Sequence, residues 1–66
     1  MYHRIYFKIK IDDMTIVETV VMDWEPRAKD FTEFETHLRK IYRRGGKEIE
    51  ILEDWYEPVK KDLTEV

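Results

Sequence analysis

The segment RIYFKIKI, residues 4–11, alternates apolar and polar side chains along its whole length. A period of two is typical of a β-strand that buries one side and exposes the other. The buried side would carry Ile5, Phe7, Ile9 and Ile11. We expect the rest of the fold to be arranged around this strand.

A second strand is predicted directly after the first. Asp12 and Asp13 are poor strand formers and good turn residues, and residues 15–24 are rich in β-branched side chains. These features together indicate a β-hairpin.

The register of this hairpin depends on where Glu18 lies. A loop of two residues would place Glu18 beside Phe7 in the core and remove its carboxylate from water. A loop of three residues, 12–14, would place Thr19 opposite Phe7 and Glu18 opposite Lys8 on the outer side. We therefore expect the three-residue loop.

The period changes after Pro26, where apolar residues begin to recur at intervals of three and four. This spacing predicts a helix whose buried stripe comprises Phe31, Phe34, Leu38, Ile41 and Tyr42. Asp30 with Glu33 resembles a capping box, and Pro26 would also permit an earlier start. Gly45 and Gly46 are the only glycines and predict the C-terminal cap.

A third strand is predicted over residues 47–55, and residues 57–66 are expected to fray or to cover the sheet. The chain is therefore predicted to be one α+β domain, a two-layer β-β-α-β sandwich with a three-stranded, mainly antiparallel sheet and one helix on one face. A right-handed crossover gives the strand order 2-1-3. This order of elements resembles that of HicB-type antitoxins and several small viral inhibitor proteins, in topology alone.

The composition argues against an enzyme. Serine, cysteine, asparagine and glutamine are absent, and the two histidines, His3 and His37, are far apart in sequence. The commonest nucleophiles and a nearby general base are therefore missing. We therefore expect no catalytic residues and no cofactor. We also expect no metal site, because there is no thiolate, the two histidines lack ligand spacing, and Asp12 and Asp13 are explained by a turn. The 41% content of charged residues is typical of heat-adapted proteins.

The sheet face away from the helix is the first candidate site. On the expected register this face would be more apolar than a solvated face needs to be, which indicates a partner or dimer interface. The predicted interface residues are Tyr2, Tyr6, Val20, Met22, Trp24 and Leu52. A homodimer is the expected occupant, and the alternative is that the tail covers the face through Val59 or Leu63.

A basic cluster at the end of the helix is the second candidate site. It comprises Arg39, Lys40, Arg43, Arg44 and Lys47. Cations at this position stabilise the helix dipole, and they could also contact phosphate or nucleic acid. The net charge of −3 argues against a dedicated nucleic-acid binder. A further alternative is that the acidic segments imitate a phosphate backbone.

These patterns predict a small non-enzymatic binding protein that acts through protein-protein docking, with a nucleic-acid-binding regulator as the alternative. Residues 1–10 lack the apolar core of a signal peptide, and no apolar run is long enough to span a membrane, so we expect an intracellular (cytoplasmic) protein. The small size suits a viral or mobile-element protein that modulates a host factor.

Overall fold

The computed structural model describes residues 1–59, which form three strands and one helix. Strand β1 spans His3–Ile11, β2 spans Met14–Met22, α1 spans Ala28–Arg44 and β3 spans Ile49–Pro58. The strands form one antiparallel sheet in the order β2-β1-β3. The predicted fold class, element order and strand order are confirmed.

The core lies between β1 and one face of α1. Ile5, Phe7 and Ile9 of the central strand are completely buried. The ring of Phe7 packs edge-on against Phe34 at 5.2 Å between centroids and also contacts Phe31 at 6.1 Å. The central strand therefore supplies most of the fully buried side chains, as its alternating pattern predicts.

The hairpin register differs from the expected one. Ile11 pairs with Met14 across a two-residue loop, and Phe7 pairs with Glu18. The expected three-residue loop would keep Glu18 out of the core, and this prediction is wrong. The carboxylate of Glu18 can lie on the helix side of the sheet for two reasons. It is only partly buried, because β2 is an edge strand, and the hydroxyl of Tyr42 donates a hydrogen bond to it.

The helix begins earlier than the Asp30 cap would suggest. Arg27 is the capping residue, and its backbone N–H donates to the Asp30 carboxylate at 2.8 Å. Asp30 therefore serves the first turn from the third helical position, where a carboxylate also complements the helix dipole. Ile41 was predicted to lie in the buried stripe of the helix. It is 45% exposed, so this part of the prediction is wrong.

The helix ends at the two glycines, as predicted. Lys47 N–H donates to the carbonyl of Tyr42 at 3.0 Å, and Gly46 N–H donates to that of Arg43 at 2.9 Å. This pair of bonds is the Schellman motif, which requires a residue in the left-handed backbone conformation directly after the C-cap of the helix. Gly46 supplies it with a φ of +78°.

Strand β3 runs three residues further than predicted and includes Glu57 and Pro58. Val59 N–H then donates to the carbonyl of Tyr2 at 2.8 Å. Of the tail predicted to cover the sheet, Glu57 and Pro58 belong to β3 and Val59 continues its hydrogen bonding, so these residues do not fold across the sheet; residues 60–66, with Leu63, lie outside the described part of the chain. In residues 1–59 no helix is long and apolar enough to cross a membrane.

Candidate functional site

The side of the sheet that faces away from α1 carries an aromatic stack. Tyr6 of β1 pairs with Trp55 of β3, and their rings lie parallel with 5.1 Å between centroids. On the other side of Tyr6, the edge strand presents Val17 and Val21, which are 51% and 45% exposed. We call this side the open face: the β1 side chains Arg4, Tyr6, Lys8 and Lys10 with their cross-strand neighbours.

The charges of the open face balance. Three basic residues of β1 lie opposite three glutamates of β3, in the pairs Arg4 with Glu57, Lys8 with Glu53 and Lys10 with Glu50. Opposite charges in cross-strand positions stabilise a sheet by a few tenths of a kcal/mol up to about 1 kcal/mol per pair. The lysines of β1 therefore do not form a basic surface.

The residues predicted as one interface lie in different places. Tyr6 is on the open face. Val20 and Met22 instead pack against the core on the helix side, because the two-residue loop reverses the facing of every β2 residue relative to the expected register. Leu52 lies where the pairing of β3 with β1 shifts by one residue, and Tyr2 precedes β1.

Val20 and Met22 line a groove between the edge strand and the helix. The groove has a volume of about 280 Å³, and Phe34 and His37 form its helix wall. Ile41 lies one turn beyond His37 on the same side of α1 and is exposed. The helix therefore leaves part of the inner surface of β2 uncovered.

Trp24 closes one end of this groove and links the strand to the helix. Its indole N–H donates to the carboxylate of Asp30 at 3.2 Å, although the side chain remains 55% exposed. Asp30 itself is buried. Trp24 thus has a structural bond that sequence reasoning missed, because its partner is six residues away and in a different element.

Three of the five residues in the basic cluster have partners in the chain. Arg39 pairs with Glu35 at 3.0 Å and donates to the carbonyl of Ile49 at 3.0 Å, which ties α1 to β3. Two further ion pairs join Arg43 to Glu48 at 3.3 Å and Lys47 to Asp12 at 2.8 Å.

Lys40 and Arg44 have no ion-pair partner among residues 1–59. Both line a shallow cleft of about 570 Å³ on the outer side of α1, together with Thr36, Arg39 and Arg43. The predicted cluster is therefore divided: four of its residues line this cleft, Lys47 lies beyond the end of α1, and three of the five charges are already paired within the fold.

Two tyrosines have raised pKa values. The pKa of Tyr42 lies above its usual value near 10, because its hydroxyl donates a hydrogen bond to the carboxylate of Glu18, burial disfavours the phenolate, and the negative charge of Glu18 repels it. The pKa of Tyr56 is raised chiefly by its hydrogen bond to Glu25, 2.7 Å away. Both shifts keep the phenol neutral and are not those of an activated base.

Two of the acidic residues that could imitate a phosphate backbone are engaged within the fold. Asp30 is turned inward to Trp24 and Arg27, and Glu25 accepts the bond from Tyr56. Over residues 1–59 no cluster of three or more acidic or histidine side chains is arranged to hold a metal ion.

Comparison with protein families, with curated proteins and with solved structures finds no match to this chain.

Proposed function

We propose that this protein is a non-enzymatic docking protein that binds a protein partner through the open face. The observation that carries the proposal is the stacked pair Tyr6 and Trp55 beside the exposed side chains of Val17 and Val21. Aromatic residues are enriched at protein interfaces because they bury large apolar areas, and exposed apolar patches usually mark interaction sites.

The charge of the open face favours a protein over a polyanion as the partner. Each basic residue of β1 lies opposite a glutamate of β3, so a nucleic acid would meet as much repulsion as attraction. A protein surface with both signs of charge can pair with both rows, and such complementarity gives specificity.

The same proposal describes the protein as an intracellular homodimer. Its small size and the uncovered apolar surface of β2 support self-association, because a short chain gains stability from a second copy. A viral or mobile-element protein that modulates a host factor would suit these properties.

Capture from an extract of the source cells tests the docking proposal. The wild-type chain, Trp55→Ala and the control Ile41→Ala would be immobilised, and the bound proteins identified by mass spectrometry. Ile41 is a matched control because it is large, apolar and exposed on the helix, away from the open face.

The partner would then be purified and titrated against each variant. We expect Trp55→Ala to weaken binding roughly 30-fold, the loss that corresponds to about 2 kcal/mol at a central aromatic residue. Ile41→Ala should bind like the wild type. Equal binding by Trp55→Ala would contradict docking through the open face.

The cleft on the outer side of α1 supports a second candidate function, contact with a phosphate or nucleic acid. Lys40 and Arg44 line this cleft and make no ion pair within residues 1–59. Two such cations would give weak binding that falls steeply with salt. A fluorescent single-stranded oligonucleotide titrated at low and at physiological salt tests this candidate, which fails if no binding occurs at low salt.

A further inference from the structure

The two edges of the sheet differ in how they are protected. Edge strands present unpaired backbone N–H and C=O groups, and proteins usually block them with charges, proline or a β-bulge. Strand β3 has all three devices: a register shift at Leu52, the terminal Pro58 and four carboxylates. The carboxylates are Glu50, Glu53, Asp54 and Glu57.

Strand β2 has no proline, no bulge and only one charged residue. Its sequence is MTIVETVVM, nine residues without lysine, arginine or proline, and it pairs with β1 along its whole length without a bulge. Its one charged residue, Glu18, is bound to Tyr42 on the helix side. The outer edge of β2 is therefore a long, nearly uncharged strand that can accept another.

We propose that β2 pairs antiparallel with β2 of a second copy, so that two sheets join into one of six strands. This inference deepens the homodimer of the proposed function and rests on it. The two-fold axis of such a pair is normal to the sheet and places both helices on the same side.

Charge favours the β2 edge over the β3 edge for pairing between two copies. Two copies that met through β3 would bring eight carboxylates together, four from each strand. Two copies that met through β2 would bring together only two, each already held by its own tyrosine. For a chain with a net charge of −3, β2 is therefore the edge at which self-repulsion is smallest.

The area is that of a small, concentration-dependent contact. With the two-fold axis at Thr19, residues 16–22 of each copy pair over roughly 24 Å, and the domain is about 19 Å across its thinnest dimension, which gives a wall of roughly 450 Å² per copy. Two such walls total roughly 900 Å², close to the approximate threshold of 1,000 Å² for a biological interface.

The register follows from Glu18 and from the groove. If all nine residues of β2 paired, Glu18 would lie opposite Glu18 of the second copy, and like charges in that position are destabilising. A shift that centres the axis on Thr19 sets Glu18 against Val20 of the other copy and Val17 against Val21. It also places the groove lined by Val20, Met22 and Phe34 next to the second copy.

A single engineered cysteine tests this geometry without ambiguity, because the chain has no cysteine of its own. Residues directly opposite in an antiparallel pair have Cα atoms about 4.5–5.5 Å apart, which is within the range of a disulfide. Thr19→Cys should therefore form a covalent dimer under mild oxidation. The control Asp54→Cys, on the β3 edge, should remain monomeric after the same treatment.

Solution mass tests whether an edge charge separates the copies. Light scattering over a range of concentrations should show a dimer for the wild-type chain. Val17→Lys, which adds a charge to the β2 edge, should raise the dissociation constant about tenfold or more. Leu52→Lys adds the same charge to the β3 edge and should leave the dissociation constant of the dimer unchanged. Circular dichroism confirms that each variant is folded.

The outcomes separate this inference from the docking proposal. A monomeric wild-type chain, or a dimer in which Thr19→Cys crosslinks no faster than Asp54→Cys, would overturn β2 pairing. Neither result touches partner binding, which is judged with Trp55→Ala on the opposite strand. Loss of partner binding in Trp55→Ala with an unchanged dimer mass would in turn show that Trp55 is needed for the partner and not for the dimer.

Discussion

Tyr42 of α1 donates a hydrogen bond from its hydroxyl to the carboxylate of Glu18 on β2. The contact joins the helix to an edge strand 24 residues earlier in the chain. Glu18 is the only charged residue of β2, and the hairpin register places it on the helix side, opposite Phe7. This bond therefore supports the register on which the open face depends.

Removal of the Tyr42 hydroxyl should destabilise the fold. Tyr42→Phe leaves the partly buried carboxylate of Glu18 without its donor, so we expect the free energy of unfolding to fall by about 1–2 kcal/mol. Urea denaturation followed by circular dichroism measures the change. Tyr2→Phe is the control, because Tyr2 is exposed and outside the core. Identical midpoints for Tyr42→Phe and the wild type would contradict the role of this bond.

The same tyrosine should make stability depend on alkaline pH. The pKa of Tyr42 is higher in the folded chain than its usual value near 10, so its contribution is complete below about pH 10 and is lost as the pH rises through the folded-state pKa. Tyr56 has a raised pKa and the same sign. Unfolding of the wild type and of Tyr42→Phe, followed at pH 7 and at about pH 11, should show a stability difference that shrinks at high pH. A difference that grew with pH would refute this assignment.

The start of the helix should depend strongly on Asp30. Its carboxylate accepts bonds from the Arg27 backbone and the Trp24 indole, and the residue is buried. Asp30→Ala should therefore lower stability by about 2 kcal/mol. Glu33→Ala, an exposed acidic residue one turn on, should change stability by less than about 0.5 kcal/mol. Thermal unfolding of both variants distinguishes a specific bond from a general loss of negative charge.

The two glycines at the helix end should respond differently to alanine. Gly46 has a φ of +78°, so a side chain is strained there, and Gly46→Ala should cost about 1 kcal/mol or more. Gly45 has a φ of −89°, and an added Cβ would lie 3.5 Å from the carbonyl oxygen of Tyr42, an ordinary contact. Gly45→Ala should be close to neutral. Equal losses from both substitutions would show that the Schellman motif is not what ends the helix.

The parts of the fold that depend on local pattern could be predicted from the sequence. The alternation of residues 4–11, the spacing of Phe31, Phe34 and Leu38 and the paired glycines each determine an element through nearby residues. The strand order followed from a general rule of chain connection. All of these predictions are confirmed by the structure.

The hairpin register could not be predicted in the same way. The choice between two loop lengths depended on the cost of placing Glu18 on the helix side, and that cost is lowered by Tyr42, which is distant in sequence. Because the side-chain period of a strand is two, an error of one residue moved Val20 and Met22 to the wrong face. The predicted interface was therefore wrong for these β2 residues, whereas the predicted face of Tyr6 on the central strand did not depend on the hairpin register and is correct.

Hydroxyl-radical footprinting of the dilute full chain tests most directly whether the open face is available to a partner. Oxidation of Tyr6 and Trp55 would be compared between the full chain and a variant that ends at Val59. We expect equal oxidation of both rings in the two proteins, at the rate of partly exposed aromatic residues. Rings that are shielded in the full chain and become reactive in the shortened one would contradict it, because the open face would then be covered by the chain itself.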